Sequence, residues 1–274
     1  MVAIALAVRG REVEESRYTI LKQENLLKKL KERKKEGLSY RFVSDEQVQV
    51  LIALDDDSPW LLNHSRKERK CLVWHNVYFG IYGVVPTPCL KHCWKVVITR
   101  MWNDDGEESQ LDFSAVMKIA EFQENFEWPS KVGMDRRAWT PNLWGAYWYC
   151  DTLEQAREIR KVLETDLSSD FIVEIKRGCT EMELMLGDSG EWDVCDPRCE
   201  GQKQLEISLD AFIYNEIGPL EQPVMVKRDV ILRMMYWAHK HGDMTYLMHM
   251  NPGEQLTFEM PRGPVKWKPS RTYR

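Results

Sequence analysis

No stretch of this chain approaches the run of about 18 apolar residues that a membrane-spanning helix requires. The apolar start, Met1 to Val8, has no positively charged segment before it. That argues against a secretory leader and favours an edge strand. A Gly-x-Ser-x-Gly nucleophile elbow and a Gly-x₄-Gly-Lys-Ser/Thr phosphate loop are both missing, so serine hydrolases and P-loop nucleotidases leave no local signature. There is no RNP-type Lys/Arg-Gly-Phe-Gly-Phe string, no internal repeat and no low-complexity tract. Positive charge is not in excess either. The net charge of −5 argues against nucleic-acid binding by the whole surface and leaves local basic patches open.

What is present describes an ordinary folded protein. Of 274 residues, 43% are hydrophobic and 30% charged, enough for one large core or two smaller ones. Tryptophan is abundant, and Trp94, Trp102, Trp144 and Trp148 fall on predicted strands, where packing explains them. Without an export signal the cysteines should stay reduced and the protein should be cytoplasmic. Their odd number, seven, agrees with thiols rather than a disulfide framework.

Read in order, Arg17 to Glu36 forms an amphipathic helix whose polar face holds Lys22, Lys28, Lys29, Lys31, Arg33, Lys34 and Lys35, closed by Gly37. Asp45 to Leu54 is expected to be a shorter helix, and Cys71 to Val85 a strand stopped by Pro86 and Pro88. A regular order follows: strand Trp94–Met101, helix Leu111–Phe122, strand Lys131–Trp139, strand Trp144–Cys150, a helix opened by the capping box Thr152-x-x-Gln155 and running to Leu167, and strand Asp170–Lys176. That sequence of elements is the split βαβ, or ferredoxin-like, plan. Glu181 to Leu186 is expected to extend a strand, Leu205 to Ile213 to form another, and Val224 to Lys240 to form the last helix, closed by Gly242. The expected fold class is therefore α+β. A ferredoxin-like antiparallel sheet lies at the centre, with an N-terminal helical extension and a C-terminal helix plus irregular arm. The corresponding divisions are 1–70, 71–215 and 216–274.

Two thiol pairs of the same spacing carry the chemistry: Cys89 with Cys93, just before the most strongly patterned strand, and Cys195 with Cys199. In a ferredoxin-like sheet of order 4-1-3-2, the start of the first strand lies beside the ends of the third and fourth. Cys89 and Cys93 would then meet Cys150, Cys179 and the loop bearing Cys195 and Cys199. Four thiolates in a tetrahedron suit zinc, in a closed site that contributes folding free energy. They equally suit a [4Fe–4S] cluster, which would make the chain a redox protein or enzyme.

Other candidates carry less. Cys71 and His75 share a strand face at long distance, and His239-x-His241-x-Asp243 sits where a helix is expected to end, with its two histidines on different faces. Glu121, Glu124, Glu127, Glu181, Glu183 and Glu191 are acids with no cleft assigned to them, so no reaction follows. The final residues, Arg262 to Arg274, are basic and aromatic. Arg262, Lys266, Trp267, Lys268 and Arg271, with Lys28, Lys31 and Lys35, point to phosphate neutralisation and base stacking. The expected function is a metal-stabilised binding or assembly module that engages nucleic acid or a larger complex through its basic ends, without membrane association.

Overall fold

The computed structural model describes residues 40–44, 47–50, 59–63, 92–135, 140, 142–192, 213–214 and 222–250. The expected helix Arg17–Glu36, the strands at Met1–Val8 and Cys71–Val85, and the basic C-terminal arm lie outside these. The chain divides into two compact units, one of residues 1–53, 66–94 and 177–218, the other of 54–65, 95–176 and 219–274.

In the first unit, β1 (Tyr40–Ser44) and β2 (Gln47–Val50) form an antiparallel hairpin, and β9 (Ile213–Tyr214) joins β2 in parallel. The helix expected from Asp45 is thus replaced by a strand. Gln47-Val48-Gln49-Val50 alternates with the period of a strand, and β-branched valine favours that conformation. Helix α3 (Thr180–Leu186) replaces the strand extension expected at Glu181–Leu186. Met182 and Leu184 mimic strand alternation, yet Met182 is buried and Leu184 exposed. Gly187, at φ 87°, closes the turn by donating its N–H to the Glu183 carbonyl.

The second unit is built on an antiparallel sheet. Its strands are β3 (Trp60–Asn63), β4 (Trp94–Trp102), β5 (Glu108–Gln110), β6 (Ser130–Met134), β7 (Trp144–Cys150) and β8 (Phe171–Arg177), of which the first residue of β4 and the last of β8 fall in the first unit. They run in the order β3-β6-β7-β4-β5, with β8 also paired to β4. Helices α1 (Phe113–Gln123), α2 (Leu153–Val162, continued by a wide π turn to Leu167) and α4 (Val224–Lys240) complete a mixed α+β class. None of the described helices is long and apolar enough to cross a membrane.

Register decides which side chains reach the core. Across β6 and β7, Ser130 faces Trp148, Val132 faces Ala146 and Met134 faces Trp144. Trp144 meets Phe113 of α1 edge to face, and Ser130 donates to the Gln123 side chain, so this row looks towards α1. The intervening residues Lys131 and Tyr147 take the opposite face. There Lys131 Nζ lies 3.9 Å from the Trp60 ring centroid and 4.9 Å from that of Tyr147. Trp148 is fully buried, and its indole N–H has no hydrogen-bond partner among the described residues. An orphaned donor costs about 1–3 kcal/mol. Burying roughly 200 Å² of indole returns about 5 kcal/mol, so packing wins.

Capping fixes the helix starts. Thr152 Oγ1 accepts from Gln155 N–H at 3.1 Å, the forward bond of the expected capping box, while the Gln155 side chain accepts from Asp151 N–H, one residue before the cap, at 2.9 Å. At α1, Asp112 accepts from Ala115 N–H at 2.7 Å, Asp243 from Phe113 N–H at 2.6 Å and Thr245 from Ser114 N–H at 3.1 Å. The last two acceptors come from the turn after α4. Gln222, just before α4, covers the backbone of β3, accepting from Leu62 N–H and donating to the Trp60 carbonyl.

Replacing Asp243 by Ala should lower unfolding free energy by about 1–2 kcal/mol, because the Phe113 and Thr245 donors lose their acceptor. Urea denaturation of the two proteins measures this, and an unchanged midpoint would show that the contact does not hold α1.

Candidate thiol site

Strand β4 starts directly after Cys93, and Cys179 follows the end of β8 as the residue before α3. Gly178 N–H donates to the Cys93 carbonyl at 2.8 Å, which brings these two chain segments side by side within the first unit. Cys93 is buried and Cys179 partly exposed, and both are thiols rather than half of a disulfide.

Arg177 organises the ground beside them. Its backbone N–H donates to Ser189 Oγ, and its guanidinium donates to the carbonyls of Ser189 and Trp192. It lies between two indole rings, 5.2 Å from the Trp94 centroid and 5.9 Å from that of Trp192. The side chain is 6% exposed, so these acceptors replace water around a charge that is costly to bury. Trp192 is itself anchored by its indole N–H to the Gly187 carbonyl at 3.1 Å. Gly178 has φ 64°, and a Cβ there would lie 2.8 Å from Trp192 ring carbons. Both the left-handed backbone and the ring contact demand glycine.

Cys150 ends β7 in the second unit, fully buried, with its thiol 3.9 Å from the Trp148 carbonyl. Cys89, Cys195 and Cys199 lie outside the described residues, as do Lys28, Lys31, Lys35, Arg262, Lys266, Trp267, Lys268 and Arg271. Among the described residues, no group of three or more His, Cys, Asp or Glu side chains is placed to hold a metal ion.

The histidine string disperses. His239 Nδ1 contacts the Tyr246 hydroxyl at 2.9 Å, His241 stacks on Trp237, and Asp243 caps α1. A Ser–His contact that sequence spacing did not suggest joins Ser114 Oγ to His249 Nε2 at 3.2 Å. The first three amides of α1 already donate to Asp243, Thr245 and Asp112, so they offer no donors for an oxyanion.

No family model matches the chain. Comparison with curated proteins and with solved structures likewise finds no match.

Gly178→Ala should lower unfolding free energy by about 1–3 kcal/mol and loosen the packing of Trp192. Denaturant melts, together with the near-ultraviolet dichroism of the tryptophans, test this. Wild-type values for both would remove the steric case for glycine here.

Proposed function

We propose that the chain is a binding or assembly module whose thiol end is fastened by a cysteine-ligated zinc ion. Its basic terminal segments engage nucleic acid or a larger complex. The observation that carries this reading is the Gly178 N–H bond to the Cys93 carbonyl, which seats two widely separated cysteines on neighbouring strand ends. Cys89 is close in sequence to Cys93, and Cys195 and Cys199 follow Cys179, so the remaining sulfur ligands come from these three. The proposed ligand set omits Cys150, which ends β7 in the second unit with its thiol against the Trp148 carbonyl. Zinc in a closed thiolate site contributes stability without redox chemistry. The strand and helix order β4, α1, β6, β7, α2, β8 supports a ferredoxin-like plan for the sheet, a scaffold that implies no particular activity.

Elemental analysis of the purified full-length protein should find about one zinc per chain. Cys93→Ser and Cys179→Ser should each lose the metal and melt at lower temperature, whereas Cys150→Ser should retain it. Metal-free wild-type protein, or full zinc occupancy in both Cys93→Ser and Cys179→Ser, would sink the proposal. A brown protein carrying iron would replace zinc by an iron–sulfur cluster. Binding of a single-stranded oligonucleotide should weaken steeply with salt and on deletion of residues 262–274 if nucleic acid is the partner.

A further inference from the structure

Beyond the C-terminal end of α1 three aromatic rings line up. Phe122 and Phe126 lie 4.9 Å apart at 41°, and Phe126 stacks on Trp128 at 4.3 Å and 6°. All three are only partly buried, although rings of this size normally bury their faces. Exposed carboxylates are interleaved with them in sequence: Glu121, Glu124 and Glu127. Glu124 is paired with Lys227 of α4, while Glu121 and Glu127 make no ion pair among the described residues.

The segment that carries the rings is fixed in place. Asn63 Nδ2 donates to the Gln123 carbonyl at 2.6 Å and to the Phe126 carbonyl at 2.8 Å. Asn125 N–H donates to the Phe122 carbonyl, Phe126 N–H to that of Gln123, and Tyr149 N–H to that of Pro129. The rings are thus held before any ligand arrives, which avoids the cost of ordering them on binding.

We infer that Phe122, Phe126 and Trp128, with Glu121 and Glu127, form a docking surface for an arginine-bearing segment of a partner polypeptide. Charge and shape select that occupant. A ring face attracts a cation, and the planar guanidinium both stacks on an indole and pairs with a carboxylate through a fork of donors. Two unpaired carboxylates repel phosphate, so a nucleic-acid backbone is disfavoured at the same surface. This inference is independent of the thiol site, since all of these residues belong to the second unit.

The test uses the full-length protein and a fluorescein-labelled oligo-arginine peptide, with anisotropy read at fixed ionic strength. Wild type should bind oligo-arginine more tightly than an oligo-lysine peptide of equal length. Glu121→Gln with Glu127→Gln should weaken binding about fivefold, and Trp128→Leu about three- to tenfold. The charge control is Glu154→Gln with Glu158→Gln, on the exposed side of α2, which should leave affinity near the wild-type value. Circular dichroism verifies folding, and the surface carboxylate pair keeps the test decisive if Trp128→Leu fails to fold. An equal loss from the α2 pair would reduce the effect to general acidity and overturn the proposal. So would unchanged affinity in folded Trp128→Leu, tighter binding of a single-stranded oligonucleotide at these residues, or a dimer in sedimentation that the same substitutions dissolve, since a second copy would then be the occupant.

Discussion

Helix α1 is eleven residues long, a length at which an isolated helix is marginal in water, and distant side chains hold it at both ends. At its start, Asp243 and Thr245 accept from the first two amides, and Asp243 places negative charge where the helix dipole favours it. At its end, Asn63 donates to the Gln123 carbonyl and to that of Phe126 beyond it. The helix therefore borrows its termini from β3 on one side and from the turn after α4 on the other. The core depends on this arrangement, since Phe113, Val116 and Ile119 are fully buried and all project from α1.

The sheet imposes the matching condition. With Val132 opposite Ala146 and Met134 opposite Trp144, one alternation feeds the core and the other carries Lys131 and Tyr147. A slip of one residue would bring the Lys131 ammonium into the row that faces Phe113, a change that desolvation makes prohibitive. Gly133 marks how close the neighbours come. A Cβ there would sit 2.3 Å from the Pro59 carbonyl oxygen, so only glycine lets β3 approach β6. The arrangement retains a cost in the Trp148 indole N–H, which has no partner among the described residues and which its buried area offsets.

These features differ in how far the sequence discloses them. Trp144–Cys150, the α2 capping box and Val224–Lys240 are legible because their signals are local: a strand run, a Thr-x-x-Gln and a long apolar period. Strand β5 is invisible for the opposite reason. Glu108-Ser109-Gln110 has no apolar pattern and pairs with β4 only because the Asn103 side chain and Gly106 turn the chain back. After Asp45 a strand forms where a helix is expected, and at Glu181 a helix where a strand is expected, since four to seven residues fit either period. The clasp on α1 was unreadable in principle. Nothing local to Asp243 announces that its carboxylate will meet Phe113, and the same residue looked instead like part of a histidine string. Of the thiols, the placing of Cys93 beside the end of β8 follows from strand order, while the Arg177 and Trp192 framework beside it does not.

That framework and the aromatic ladder of the second unit answer one physical problem in opposite ways. Arg177 is a cation between two indoles with its donors spent on carbonyls, so its charge is satisfied internally and the side chain is buried. At Phe122, Phe126 and Trp128 the rings and acids are present without an equivalent cation among the described residues. Lys227 reaches only Glu124. Asn63 fixes the connecting backbone, and each ring, stacked against its neighbour, stays partly exposed. At the docking surface proposed for these rings, an external guanidinium would complete with the ring faces the kind of contact that Arg177 makes internally with Trp94 and Trp192.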